Sequence, residues 1–230
     1  MMFALVNSEH CRHKFFNTRW RDAKGGELPL TLFDMIKRTT ANQQEGILSA
    51  YTDNGAILSG PMVERLFPQY PSLFFQYVRE AAPWVIKVET HNHPTGISPF
   101  PGAATGVGGE IRDEAACGRG GKPIAGLVGL SLSNLHIPEN VCPWEQANRL
   151  DLPYKATPLQ ILLDAPIGAA RYANEFGRPT LLGYFRTYEQ RDVDTKRALT
   201  WGYHKPVMLA GGIGSIRPDA VTKEAVSDGM

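Results

Sequence analysis

Lys87, Glu89, His91 and His93 alternate along the eight residues KVETHNHP, 87–94. In an extended strand, every second side chain points the same way, so a cation, a carboxylate and two imidazoles share one side. Ile86, Val88 and Thr90 fall on the other side, which this pattern assigns to the core. The polar row has chemical uses. A carboxylate can hold a hard cation, an ammonium can meet phosphate, and an imidazole can move a proton near neutral pH. The same alternation is met equally well by a solvated strand face whose histidines do nothing.

The continuation, PFPGAATGVGGEIRD (99–113), is dense in glycine and alanine. Glycine lets backbone amides approach an anion, and a helix start adds a favourable dipole. The spacing predicts a glycine-rich loop and then a helix over 109–116, stopped by Gly118, Gly120 and Gly121. No Lys-Ser/Thr follows Gly106, so this is not the Walker loop. Ile111 takes the third glycine position of a G-x-G-x-x-G read from Gly106, so it is not the dinucleotide fingerprint either. A tight turn with no ligand is the plain alternative. Arg112 adds a fixed cation and Asp113 a second acid, so Glu89 and Asp113 together suit Mg²⁺ bridging nucleotide phosphates.

A third cluster, NSEHCRHK (7–14), holds His10, Cys11 and His13. Zinc bound by these with His91 or His93 is one reading, weakened because adjacent His10 and Cys11 reach one tetrahedral ion poorly and no C-x-x-C is present. Cys11 as a nucleophile beside two histidines is another, and a small buried thiol is preferred to it.

These clusters need elements to carry them. WVIKVETHN (84–92) reads as a strand, being β-branched, aromatic and bounded by prolines. TLFDMIKRTT (31–40) reads as a helix capped by Thr31, while residues 1–17 give only a weak helical pattern. GILSAY (46–51) and AILSG (56–60) are strand-like around the turn Asp53-Asn54-Gly55. Residues 61–82, with Pro61, Pro68 and Pro71, read as irregular. AGLVGLSLSNLHI (125–137) and TLLGYFRTYE (180–189) are strands. Thr157-Pro158 opens a helix that Pro166 restarts and Gly177 ends. Residues 190–202 read as a charged loop, and KPVMLAGGIGSI (205–216) as a new strand with a glycine turn. The irregular alternation predicts an α+β fold, with helices packed on one face of a mixed or antiparallel sheet, over a parallel doubly wound one.

Bulk properties narrow the class. Hydrophobic residues make up 43% of the 230, enough for a sizeable core. Lys plus Arg number 24 against 23 Asp plus Glu, a balance that argues against general nucleic-acid or membrane-surface binding. Three cysteines do not make a disulfide framework, which points to the cytoplasm. No apolar run approaches a membrane span. A motif within the first ten residues and a fresh strand near the other end suggest a fragment.

Taken together, NSEHCRHK, KVETHNHPTGISPFPGAATGVGGEIRD and NEFGRP (174–179) resemble phosphoribosylformylglycinamidine synthase, chiefly its large single-chain form. GYFRTYE (183–189) and GYHKPVMLAGGIG (202–214) extend the resemblance over nearly the whole chain. It implies an ATP-dependent carbon–nitrogen ligase of purine biosynthesis. Formylglycinamide ribonucleotide (FGAR), ATP and glutamine give formylglycinamidine ribonucleotide (FGAM), ADP, phosphate and glutamate, by way of an iminophosphate that ammonia attacks. By motif match, His10 is the active-site histidine of SEHC and His91 the proton acceptor. Lys87 and His13 fall at ATP contacts, and Glu89 and Asp113 at metal ligands. Thr90, Asn92, His93 and Arg112 match substrate contacts. Gly102, Ala103, Ala104, Thr105, Gly106, Val107, Gly108, Gly109, Glu110, Ile111, Arg112 and Asp113 match the ATP loop. For NEFGRP the resemblance implies no assignable role, and a helix-ending Gly177 followed by a structural Arg178 is the plain reading.

The family's synthetase region resembles a duplicated pair of two-domain halves akin to aminoimidazole ribonucleotide synthetase. Residues 1–204 would be an N-terminal-type domain and 205–230 the start of a truncated C-terminal-type domain. Such N-terminal domains pair through their sheets, so a homodimer is expected. The remaining synthetase and glutaminase domains are expected partners, and the chain alone is expected to be inactive. A non-catalytic module that dimerises and binds phosphate weakly is the alternative.

Overall fold

The computed structural model describes residues 16–145, 155–191 and 200–225. It divides into two compact units, residues 1–47 and 48–230. The first is built around helix α1 (Leu32–Asn42). As the sequence predicts, Thr31 caps it: Asp34 N donates to Thr31 Oγ1 and Thr31 N to Asp34 Oδ2, both at 3.1 Å. These two bonds satisfy two otherwise orphaned amides and fix the helix start.

The second unit is a six-stranded mixed sheet with helices on one face. Its strands are β1 (Ile47–Ser49), β2 (Ala56–Leu58), β5 (Trp84–Thr90), β6 (Lys122–Leu132), β7 (Thr180–Thr187) and β10 (Val207–Ser215), in the order β1-β2-β5-β10-β6-β7. β6 and β7 pair parallel, while β2–β5, β5–β10 and β10–β6 are antiparallel. Helices α2 (Asn92–Ile97), α3 (Pro99–Ala115) and α4 (Pro158–Phe176) follow the strands in sequence. The core forms where Val107 and Ile111 of α3 and Ile161 and Ala169 of α4 meet Val128 and Leu130 of β6 and Met208 of β10. The predicted α+β class, with helices on one face, is the observed one. No described helix is long and apolar enough to cross a membrane.

Four local expectations need correction. Residues 61–82 are not irregular: β3 (Met62–Gln69) and β4 (Phe74–Ala81) pair antiparallel along their full length. Pro68 fits because each strand of a two-stranded ribbon keeps a free edge, where a missing N–H costs no ladder bond. Part of 190–202 is a second ribbon, β8 (Glu189–Arg191) with β9 (Thr200–Gly202). Pro166 does not restart a helix but lies inside continuous α4, whose start is fixed by the Thr157–Gln160 capping box and whose end is Gly177 at φ +92°. The segment expected to open a second domain is β10, the strand between β5 and β6, so the boundary placed after residue 204 falls beside a central strand of this sheet. Its glycines, Gly211, Gly212 and Gly214, make no turn and stay in the ladder.

The glycine-rich run is the largest departure. Residues 99–115 are one 17-residue helix, not a loop leading to a short one. The glycines serve close packing. A Cβ on Gly102 would lie 2.6 Å from the Pro94 carbonyl oxygen, and one on Gly108 2.7 Å from the Tyr172 ring. From α4, a Cβ on Gly168 would lie 2.1 Å from the carbonyl oxygen of Phe100. Side chains at these places would push α3 off its neighbours, so tertiary contact overrides the low helix propensity of glycine.

Candidate functional site

β5 and α3 build the site between them. Lys87 and Glu89 share a face of β5 with fully buried Val85, and that face is the one covered by α3. The predicted alternation holds, but the side is reversed: Val88, assigned to the core, is 51% exposed on the open face of the sheet, and Thr90 is exposed with it. The polar row therefore lies under a helix rather than on a bare surface.

Asp113, near the end of α3, reaches down to this row. Lys87 Nζ lies 3.0 Å from Asp113 Oδ2 and 3.0 Å from Glu89 Oε1. Asn54 Nδ2 donates to Asp113 Oδ1 at 3.1 Å. Burial alone would push the Asp113 carboxyl up, but the Lys87 and Asn54 donors outweigh it and hold the group below its ordinary value. Burial likewise opposes the charge on Lys87, and its bonds to Glu89 and Asp113 raise it regardless. The result is an ammonium held between two carboxylates, still partly open to solvent.

His91 follows the last residue of β5 and stands at the N-cap of α2. Its N–H donates to Met208 O at 2.9 Å, and its ring Nδ1 lies 2.6 Å from Gly102 O. A carbonyl oxygen only accepts, so Nδ1 carries the proton. In the neutral ring this leaves the Nε2 lone pair as acceptor. Gly106 completes the fit, since a Cβ there would lie 2.8 Å from His91 Cβ. Asn92 Oδ1 accepts from Met208 N at 2.9 Å, tying the start of α2 to β10.

The other predicted residues divide plainly. His93 does not continue the strand row but sits in the first turn of α2. Thr90 faces away from Lys87 and Glu89. Arg112 is exposed on α3, and a Cβ on Gly109 would lie 3.6 Å from its Nη2. Gly102 through Asp113 lie inside α3, where amides are spent on helix bonds, as Gly102 N is on Ser98 O (2.9 Å). They do not form the backbone cradle expected of a phosphate loop. His10 and His13, with the zinc and nucleophile readings that involve Cys11, lie outside the described residues. Among the described residues no group of three or more His, Cys, Asp or Glu is arranged to hold a metal.

No family model matches the chain. Among solved structures, Thermotoga maritima PurL complexed with ATP is similar at 26% identity, over 64% of this chain and 18% of that one, with a TM-score of 0.40. PurL of the same organism complexed with FGAR matches at 30% identity over 60% and 16%, TM-score 0.36. Phosphoribosylformylglycinamidine synthase II from Thermotoga maritima matches at 29% over 60% and 17%, TM-score 0.36. The chain is similar to part of a phosphoribosylformylglycinamidine synthase. It spans less than a fifth of each of these proteins.

Sequence reasoning missed two participants. Asn54 reads as a turn residue, yet it binds Asp113. Arg178 reads as a structural residue after a helix stop, yet it forms a sealed ion cluster with Glu110 and Glu114 of α3, all three at most 1% exposed in their side chains. The clue was the Gly177-Arg178 pair itself: a charged residue forced inward directly after a left-handed helix stop needs a buried partner.

Proposed function

We propose that the chain is part of the synthetase region of a phosphoribosylformylglycinamidine synthase, and that β5 and α3 carry one portion of its ATP-driven amide-activating site. The observation that carries this is the meeting of Lys87 with Glu89 and Asp113 at 3.0 Å each, next along the strand to a histidine whose tautomer is set by Gly102 O. Lys87 supplies a cation for nucleotide phosphate. His91 Nε2 accepts a proton as ammonia attacks the phosphorylated amide, which restores a neutral nitrogen before phosphate departs. Asn92, His93 and Arg112 are proposed substrate contacts.

Glu89 and Asp113 fit Mg²⁺, which is usually held by one or two carboxylates together with phosphate oxygens and waters. Both already converge on one cation, the Lys87 ammonium. When bound, the ion would neutralise charge on the transferred phosphoryl group. The chain's own part is to hold those carboxylates together, one from β5 and one from α3, and to keep Lys87 beside them.

The test is calorimetric titration of Mg-ATP and then FGAR into the purified chain, with His91→Ala and Glu89→Ala as controls. The expected outcome is Mg-ATP binding that Glu89→Ala weakens and FGAR binding that His91→Ala weakens, without turnover by this chain alone. No binding to a well-folded sample counts against a preformed site.

A second reading rests on a separate observation. The open face of the sheet is apolar, with Val88 51%, Leu182 71% and Tyr184 45% exposed. A face of this kind suits pairing with another sheet. Sedimentation equilibrium that shows only monomer at high concentration would remove it.

A further inference from the structure

Arg178 enters the core from a fixed root. Its N–H donates to Ala173 O of α4 at 2.9 Å, and Gly126 N of β6 donates to the next carbonyl, Pro179 O, also at 2.9 Å. The guanidinium forks onto Glu110, with Nη2 to Oε2 at 2.6 Å and Nη1 to Oε1 at 3.1 Å, and Nη1 also meets Glu114 Oε2 at 3.3 Å. The sheet makes room by omitting side chains. A Cβ on Gly212 would lie 2.3 Å from Glu110 Oε1, and one on Gly126 2.6 Å from Arg178 Nη2. The three side chains form a peg seated in a glycine-lined hollow across β6 and β10.

Such a peg adds little net stability, because sealing ions from water costs about what their attraction returns. This one is also incompletely bonded: among the described residues, Glu114 Oε1 and Arg178 Nε make no hydrogen bond. What a rigid, two-pronged guanidinium supplies is geometry. Glu110 and Glu114 are one turn apart on α3, and Asp113 belongs to that same turn. Gly212, the floor of the hollow, is the register partner of Lys87 on β5. The peg therefore stands one strand away from Lys87 and within one helical turn of Asp113.

We propose that Arg178 is the positioning residue for the Lys87–Asp113 pair: by pegging Glu110 and Glu114 it sets the height and rotation at which α3 presents Asp113 to Lys87. The ligand readout of this inference rests on the proposed nucleotide site, whereas the ion-pair readout does not.

Arg178→Ala would leave Glu110 and Glu114 buried without their cation and is a folding variant, so the decisive change is Arg178→Lys, which keeps the charge and loses the fork. Two signals are read on the full chain: the Lys87 ammonium resonance by NMR, assigned with Lys87→Met, and Mg-ATP affinity by calorimetry. We expect Arg178→Lys to melt cooperatively, to shift or broaden the Lys87 signal, and to weaken Mg-ATP by about tenfold. In an Asp113→Asn background the same change should cost no further affinity. An unmoved Lys87 resonance, or an equal affinity loss in both backgrounds, overturns the proposal and leaves Arg178 merely structural. If the wild-type chain binds no Mg-ATP, the nucleotide reading fails and the Lys87 resonance alone decides the positioning role. Should Arg178→Lys not fold, the charge-free triple variant Glu110→Gln, Glu114→Gln, Arg178→Met takes its place, with the same shift of the Lys87 signal expected.

Discussion

Helix α3 takes part in two clusters with the same make-up of side chains, one cation between two acidic residues, in opposite surroundings. Lys87, Glu89 and Asp113 have side chains 20%, 40% and 15% exposed. Arg178, Glu110 and Glu114 are at 1%, 0% and 0%. Water decides what each can do. In the open cluster, solvent replaces a lost partner cheaply, so the ammonium can be handed to a ligand. In the sealed cluster nothing replaces a partner, so the ions hold one arrangement. One helix thus joins a site that can exchange partners to a peg that cannot.

The largest expected effect comes from removing one cation from each. Arg178→Ala leaves Glu110 and Glu114 buried without their cation and should cost about 3–5 kcal/mol in chemical denaturation. Lys87→Ala, in the wetter cluster, should cost less than about 1 kcal/mol. Equal losses at the two positions would break the comparison, because exposure would then not govern the outcome.

Half of this contrast was legible in the sequence. The shared side of Lys87, Glu89 and His91 follows from the two-residue repeat of a strand. Which side that would be did not follow: Ile86 and Val88 look like core, yet they line the open face, because both faces of this sheet are apolar. The glycines of 99–113 look like a loop, since their use, close contact with Pro94, Tyr172 and His91, appears only once those elements pack. Gly177 as a helix stop was plain. The partners of Arg178 were not, lying 68 and 64 residues earlier in the chain.

The two clusters should also answer pH with opposite signs. Asp113 is held below its ordinary value of 3.8 in the folded chain, because the Lys87 and Asn54 donors outweigh its burial. Its contribution to stability is present above that ordinary value and is lost as pH falls through the lower folded one. Glu114 is pushed from 4.5 up to about 8, by burial first and then by the charge of Glu110, with Arg178 opposing. Between those values the folded chain keeps a proton that the unfolded chain has shed. Its contribution is therefore full below the ordinary glutamate value and fades as pH rises toward about 8. Cys117, itself raised by burial, also feels Glu114, while Gly212 and Gly126 bring no charge from the sheet. Melting temperatures across the acid and neutral range should show Asp113→Asn flattening the acid limb and Glu114→Gln flattening the neutral-to-alkaline one. A Glu114→Gln profile parallel to wild type would show that the sealed cluster holds no such proton.

The smallest effect is the most selective. Raising ionic strength from about 0.1 M to about 1 M shortens the screening length from roughly 10 Å to roughly 3 Å in water. Ions of the dissolved salt can approach Lys87 and Asp113 but not a guanidinium that is 1% exposed. The coupling of Lys87 to Asp113, measured by a double-mutant cycle with Lys87→Met and Asp113→Asn, starts below about 1 kcal/mol and should shrink with salt. The coupling of Arg178 to Glu110, measured with Arg178→Lys and Glu110→Gln, should hold its value over the same range. Salt acts on the solvent-facing charges and leaves the packing alone, so a parallel decline in both cycles would mean that water reaches the peg. The division of labour along α3 would then lose its physical basis.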